Sequence, residues 1–195
     1  MWDFDGVIAD TFQLAFDIIR THDSTMTEEA YRMRFHGNIN KARQPQDLSA
    51  EDFFNAYGDG IIQRALFDDV ADQIQTISNT YPCIIVSSTT SSPIATYLTH
   101  HGIRDCFAQI LGNDVSHSKA EKFQMVYQEF KTSAQKCIFI TDTLGDIREA
   151  TSVGMPTIAV TWGFHDRATL EKGAPHSIVE TPSELSPVVR DYLER

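Results

Sequence analysis

The sequence predicts an α/β fold: a doubly wound parallel sheet with a small α-helical insertion directly after its first strand. Short apolar runs of strand length alternate with helix-like stretches, and each run ends in small, polar or acidic residues. The alternation breaks only between residues 12 and about 68, where helical patterns follow one another without a convincing strand.

The first apolar run covers residues 1–4. Only Met1 and Trp2 precede Asp3, whereas a central strand normally runs to about five or six residues. Either this strand is short or the chain has lost its start. Helix-like segments follow at residues 11–21, 27–35 and 50–65, divided by a polar stretch at 36–45. Placed after the first strand, they predict a cap over the mouth of a site, with residues 1–11 and 69–195 forming the α/β core and 12–68 the cap. The alternative, helices that merely pack on the sheet, stays open at this point. The second run, Cys83–Val86, leads into a helical stretch at 91–101. A helix-like segment at 120–130 precedes the third run, at 137–140, and another at 146–153 precedes the fourth, Thr157–Val160. In such a sheet ligands bind outside the carboxyl ends of the strands.

A chain of 195 residues is long enough for one well-buried core and a small accessory domain. With 42% hydrophobic and 22% charged residues the composition is that of an ordinary globular protein. No stretch approaches the roughly 20 apolar residues of a membrane helix, and no basic-then-apolar secretion signal opens the chain. The expected location is cytoplasmic, with no membrane partner. A formal charge of -11 argues against nucleic-acid binding, which needs surplus Lys and Arg. Cys83, Cys106 and Cys137 are odd in number and far apart, so they read as reduced core residues.

The chemistry concentrates in two carboxylate pairs. Asp3 and Asp5 lie two apart in an extended segment, so their side chains leave the strand end on one face. Asp142 and Asp146 follow another apolar run about 140 residues later. Like charges that close raise a pKa or recruit a cation, and magnesium favours such oxygens while keeping water and substrate phosphate as further ligands. The pattern points to phosphoryl chemistry.

Four segments occur in order: Asp3-Phe4-Asp5-Gly6-Val7, continuing as Ile8-Ala9-Asp10; Ile84-Ile85-Val86-Ser87; Ser116-His117-Ser118-Lys119; and Ile138-Phe139-Ile140-Thr141-Asp142-Thr143-Leu144-Gly145-Asp146. On these the chain resembles the haloacid dehalogenase superfamily of phosphohydrolases, in particular its phosphoglycolate phosphatase and β-phosphoglucomutase-like group. That group has a Rossmann-like core and a helical cap of the C1 type. Residues 150–154 and Val160-Thr161-Trp162-Gly163 match its downstream segment.

The resemblance implies that Asp3 attacks phosphorus to form an aspartyl-phosphate and that Asp5 is the general acid and base. It implies that the Ser87 hydroxyl, with Ser88 and Gly6 nearby, binds the phosphoryl oxygens, and that a lysine balances charge beside the nucleophile. Lys119, at a loop-to-helix junction, fits that role, with Lys122 as the rival; the proline that often follows this lysine is absent. The implied Mg2+ site draws on Asp3, Asp5, Asp142 and Asp146. Asp146 could instead orient the lysine or cap the next helix.

His100, His101, His117 and His165 show no compact ligand spacing and read as surface or cap-proximal residues, with His165 near the mouth. His36, Asn38, Asn40, Lys41 and Arg43 form a polar loop that could reach the substrate, with Lys41 or Arg43 on a carboxylate, or could simply be solvated. The expected activity is magnesium-dependent hydrolysis of a small phosphorylated metabolite by a monomer or homodimer. A phosphomutase and a non-enzymatic phospho-acceptor are the alternatives. A receiver needs neither a lid nor a turnover base such as Asp5, and true haloacid dehalogenases lack an acid/base aspartate at that position.

Overall fold

The computed structural model describes residues 1–42 and 47–195, so Arg43 lies outside the described residues. Among the described residues five strands are parallel: β1 (Cys83–Val86) pairs with β2 (Phe107–Leu111), and β3 (Phe139–Thr141) pairs with β4 (Thr157–Val160), which pairs with β5 (Ser177–Val179). The N-terminal segment joins the two ladders. Trp2 pairs in parallel with Ile85 on one side and Ile140 on the other. Trp2 N–H donates to the Ile84 carbonyl and Val86 N–H to the Trp2 carbonyl, each at 2.8 Å, while Asp3 N–H reaches the Ile140 carbonyl at 2.8 Å. The short first run is therefore the central strand, and Trp2 and Phe4 are buried on both faces. Counted along the chain, the sheet order is 3-2-1-4-5-6, the doubly wound order, and its direction reverses between the N-terminal segment and β3.

The central runs β1, β3 and β4 are apolar at nearly every position because helices cover both faces of the sheet. The third begins two residues later than expected, because residues 134–136 form a 3-10 turn that leads through Cys137. Strands β2 and β5 carry no such signature in sequence. They are the edge strands and are only half-buried, with Ala108 of β2 exposed.

Between the N-terminal segment and β1 the chain forms α1 (Phe12–His22), α2 (Glu28–Met33), α3 (Ile39–Ala42), α4 (Ala50–Ile61) and α5 (Val70–Ser78). Thr27 and Ser49 cap α2 and α4 by accepting from Ala30 and Asp52 N–H. Helix α4 stops at Ile61, short of the expected residue 65, and the chain then turns to run beside its own exit. Ala9 pairs antiparallel with Leu66, and Asp10 N–H donates to the Ala65 carbonyl at 3.0 Å. Residues between these two crossings are thus tied to the sheet by two adjacent strands of chain.

An aromatic cluster seals the helices onto the core. Phe12 and Phe35 each meet Phe164 edge to face, at 5.1 and 5.0 Å between centroids, and Tyr31 packs against Phe12, Phe16 and Phe35. Each such pair contributes roughly 0.5–1.5 kcal/mol beyond its buried area. After β1 come α6 (Ser91–His100), α7 (Lys119–Glu129), α8 (Leu144–Ser152), α9 (Arg167–Glu171) and α10 (Leu185–Leu193). Helices α7 and α8 start at the carboxyl end of the sheet, capped by Ser118 and Thr143.

Candidate active site

Every strand end at the switch point contributes to one cluster. Asp3 follows the Trp2 pairing, Asp142 follows β3, and Lys119 opens α7 in the connection after β2. Lys119 Nζ lies 2.7 Å from Asp3 Oδ2 and 2.6 Å from Asp146 Oδ2, and all three residues are buried. Glu149 of α8 accepts from Lys119 N–H at 2.8 Å, which holds the start of α7 in register with α8. Lys122 is one turn along α7 and buried too, but its ammonium donates to the Ser87 and Gly112 carbonyls at 2.5 and 3.2 Å. Lys119, not Lys122, is the lysine that meets the carboxylates.

Three buried carboxylates share this one ammonium. Burial, followed by the neighbouring Asp146 and Asp142, drives the Asp3 carboxyl well above its ordinary range despite the opposing pull of Lys119. Burial would also raise Asp146, but Lys119 together with hydrogen bonds from Lys119 and Thr141 outweighs it and leaves that carboxyl low. Burial alone would lower the Lys119 ammonium; Asp146 and Asp3 instead raise it, so it stays charged. Lys122 lacks a carboxylate partner, and burial plus the Lys119 charge lower it to about 8.

Asp142 is fully buried. Its Oδ2 accepts from Phe164 N–H at 2.7 Å, while its Oδ1 has no hydrogen-bond partner, and burial raises its carboxyl to about 7. An orphaned carboxylate oxygen beside two further buried carboxyl groups, Asp3 and Asp146, with Lys119 as their ammonium partner fits a hard divalent cation. Asp3 and Asp142 are the residues that would hold it. Among the described residues no three His, Cys, Asp or Glu side chains converge as a preformed cage. Magnesium commonly takes one or two carboxylates and fills its octahedron with water and substrate oxygens.

The structure divides the four carboxylates that the sequence groups as metal ligands. Asp146 is committed to Lys119 and Thr141. Asp5 lines the cavity but is ringed by hydroxyls: Thr11 Oγ1 donates to Oδ1 and Thr89 Oγ1 to Oδ2, each at 2.8 Å, and the Tyr57 hydroxyl also donates to Oδ1. These donors leave the Asp5 carboxylate in a hydroxyl cage.

Gly6 also differs from expectation. Its N–H donates to the Ala9 carbonyl at 3.0 Å, so it is not turned to a phosphate. Glycine is required for another reason: φ is +72°, and a Cβ would lie 2.0 Å from Asp142 Oδ2. Ser87 is fully buried and its hydroxyl accepts from Thr89 N–H at 2.9 Å; Ser88 and Thr89 are the ones that line the cavity.

The polar loop docks more than it reaches. Asn38 Nδ2 donates to the His117 carbonyl and to Glu149 Oε2, both at 3.0 Å, and Asn40 Nδ2 donates to the same carbonyl at 3.2 Å. Arg148 donates to the His36 carbonyl at 2.7 Å. Lys41 is exposed and off the cavity wall, whereas Asn40 is on it. His165, expected near the mouth, is buried against Arg32 and His36. Its Nδ1 accepts from Leu144 N–H at 3.0 Å and its Nε2 lies 2.9 Å from the Arg32 carbonyl, so a neutral ring ties α8 to α2.

Thr11, Tyr57, Thr89, Thr141 and Phe164 escape the sequence reading. Each is a common residue type whose role comes from what it faces, and no spacing rule marks it.

The family model described as haloacid dehalogenase-like hydrolase matches residues 1–160. The chain belongs to this family. This haloacid dehalogenase-like hydrolase is 25% identical to the phosphoglycolate phosphatase of Synechococcus elongatus over 214 residues, covering 100% of this chain and 98% of that protein. It is also 25% identical to the phosphoglycolate phosphatase of Yersinia pseudotuberculosis over 128 residues, covering 64% of this chain but only 55% of that protein. Among solved structures, a haloacid dehalogenase-like family protein from Streptococcus pneumoniae superposes with a TM-score of 0.73 at 24% identity, over 96% of this chain and 95% of the other. A predicted phosphoglycolate phosphatase from Haemophilus somnus gives 0.75 at 18% identity over the same shares. These similarities support the α/β fold.

Proposed function

We propose that this hydrolase is a magnesium-dependent phosphatase that cleaves a small phosphorylated metabolite through an aspartyl-phosphate on Asp3. The observation that carries the reading is the Lys119 ammonium held between Asp3 and Asp146 at the floor of a cavity. A fixed cation beside a cavity-facing carboxylate suits the attack of one anion on another.

In the first step an Asp3 oxygen bonds to phosphorus as the ester oxygen leaves, and Asp5 gives that oxygen its proton. In the second, Asp5 takes a proton from water as the water attacks phosphorus, releasing inorganic phosphate and restoring Asp3. Lys119 balances charge on Asp3 throughout, and Ser88 and Thr89 face the incoming phosphoryl group from the end of β1. Magnesium held by Asp3 and Asp142 would screen the carboxylates and polarise the phosphoryl oxygens.

We assign residues 12–68 to a cap and residues 1–11 and 69–195 to the core, in support of which the chain crosses between them at two adjacent segments. The cavity between them holds about 110 Å³. That size suits a small ester. The test is magnesium-dependent phosphate release from a panel of such esters beside Asp3→Asn. Release that needs both the metal and Asp3 supports the reading; release that survives Asp3→Asn refutes it.

A further inference from the structure

The cavity has two unlike ends. Its floor is charged, with Asp3, Asp5, Asp146 and Lys119. Its other wall, drawn largely from residues 15–57, is mainly apolar and aromatic, with Ile19, Phe35, Ile39, Phe53, Phe54 and, from beyond the cap, Phe164, beside the polar Asn40 and the Arg34–Asp47 pair. A phosphate fits the floor, so the rest of the substrate meets the wall.

Among the described residues lining the cavity only Arg34 and Lys119 are cations, and both are committed. Arg34 gives a two-pronged pair to Asp47, Nη1 to Oδ2 at 3.1 Å and Nη2 to Oδ1 at 2.9 Å, with both side chains largely buried. Lys119 is held by Asp3 and Asp146. Arg32, just outside, donates to the Phe164 carbonyl and lies 3.7 Å over the Phe12 ring. Among the described residues, a second carboxylate on the substrate finds only Arg34 to pair with, and taking it from Asp47 or staying unpaired in an apolar enclosure is costly.

Resting on the phosphatase reading, we infer that the substrate's leaving group is uncharged and mainly apolar, an aromatic or branched aliphatic alcohol. A carboxylated alcohol such as glycolate does not suit this wall. Apolar contact with Phe35, Phe53 and Phe54 gives orientation, and the charged floor takes only the phosphoryl group.

The test compares three esters with magnesium present: benzyl phosphate, its 4-carboxybenzyl analogue and 2-phosphoglycolate. The first two differ by one carboxylate at nearly equal leaving-group reactivity. The expected kcat/KM for benzyl phosphate exceeds each of the others at least tenfold; equal or better turnover of either carboxylated ester overturns the inference. Calorimetry with benzylphosphonate and phosphonoacetate provides a readout that needs no turnover. If no ester is cleaved, the phosphatase reading fails and this binding comparison decides the inference alone. Benzylphosphonate should bind at least tenfold tighter, and Phe54→Ala should raise its Kd at least fivefold. Equal affinities, or a Kd unmoved by Phe54→Ala, count against it.

Discussion

The Tyr57 hydroxyl, carried by α4, donates to Oδ1 of Asp5 at the end of the central strand. Burial, followed by the charge of Asp5, pushes the Tyr57 phenol well above its ordinary pKa, so it remains a proton donor. A residue of α4 thereby helps to set the orientation of the proposed acid and base. Tyr57→Phe keeps the ring stacked on Phe53 and leaves Asp5 the Thr11 and Thr89 hydroxyls. A hydrogen bond to a charged group is worth about 1.5–3 kcal/mol, roughly 10- to 150-fold in rate. The expected result is a kcat lower by about that factor with KM little changed. A purely packing role predicts a lower Tm with kcat intact.

Lys119→Met should be costly twice over. Removing the cation leaves Asp3 and Asp146 buried side by side with no countercharge, a loss of about 3 kcal/mol. For a chain of this size that is a Tm drop of roughly 6–12 °C. The stability deficit should shrink as pH is lowered, because a proton shared by the two carboxyls then replaces the ammonium. Phosphate release should fall at least about 100-fold at constant magnesium. A thermal melt indistinguishable from wild type at neutral pH would contradict the buried triad.

Much of this was legible in the sequence, and the gaps have physical causes. The central runs were visible because burial on both faces demands unbroken apolar residues, as in Cys83–Val86 and Thr157–Val160. Edge strands β2 and β5 were not, since half-burial permits Ala108 and Gln109 to face outward or sideways. Asp3 and Asp142 stand out as charged residues after apolar runs, and Lys119 as a cation at a loop-to-helix junction with Lys122 as its rival. The division of the carboxylates did not, because it depends on Thr11, Thr89 and Tyr57 reaching Asp5 from three separate elements. Gly6 was assigned to phosphate by position, whereas its φ and its contact with Asp142 show a steric requirement.

His165 provides a pH-dependent tie between α2 and α8. Burial first, then the nearby His36 and Arg32 charges, lower its pKa, against the pull of the Arg32 carbonyl and Asp146. Its Nδ1 must be unprotonated to accept from Leu144 N–H. Because the unfolded ring binds its proton more readily than the folded one, the tie contributes fully above about pH 6.5, the ordinary histidine value, and is lost as pH falls through the lower folded value. Denaturant melts of wild type and His165→Gln should therefore differ most near pH 7.5 and converge toward pH 5. A constant difference across that range would show that the ring's protonation is not linked to folding.

The orphaned Asp142 Oδ1 makes metal binding testable without turnover. A cation that binds only the folded chain stabilises it by mass action, about 2.7 kcal/mol at 100 times its Kd. Added magnesium should then raise the wild-type Tm by roughly 5–11 °C. Asp142→Asn keeps the size of the side chain but removes the charge that faces Asp3, so the magnesium-induced shift should largely disappear. Asp5→Asn should retain most of it, since the Asp5 carboxylate is occupied by three hydroxyls. A shift that survives Asp142→Asn and vanishes in Asp5→Asn would place the cation on the hydroxyl-bound carboxylate instead, and the buried pair Asp3 and Asp142 would then need another source of charge compensation.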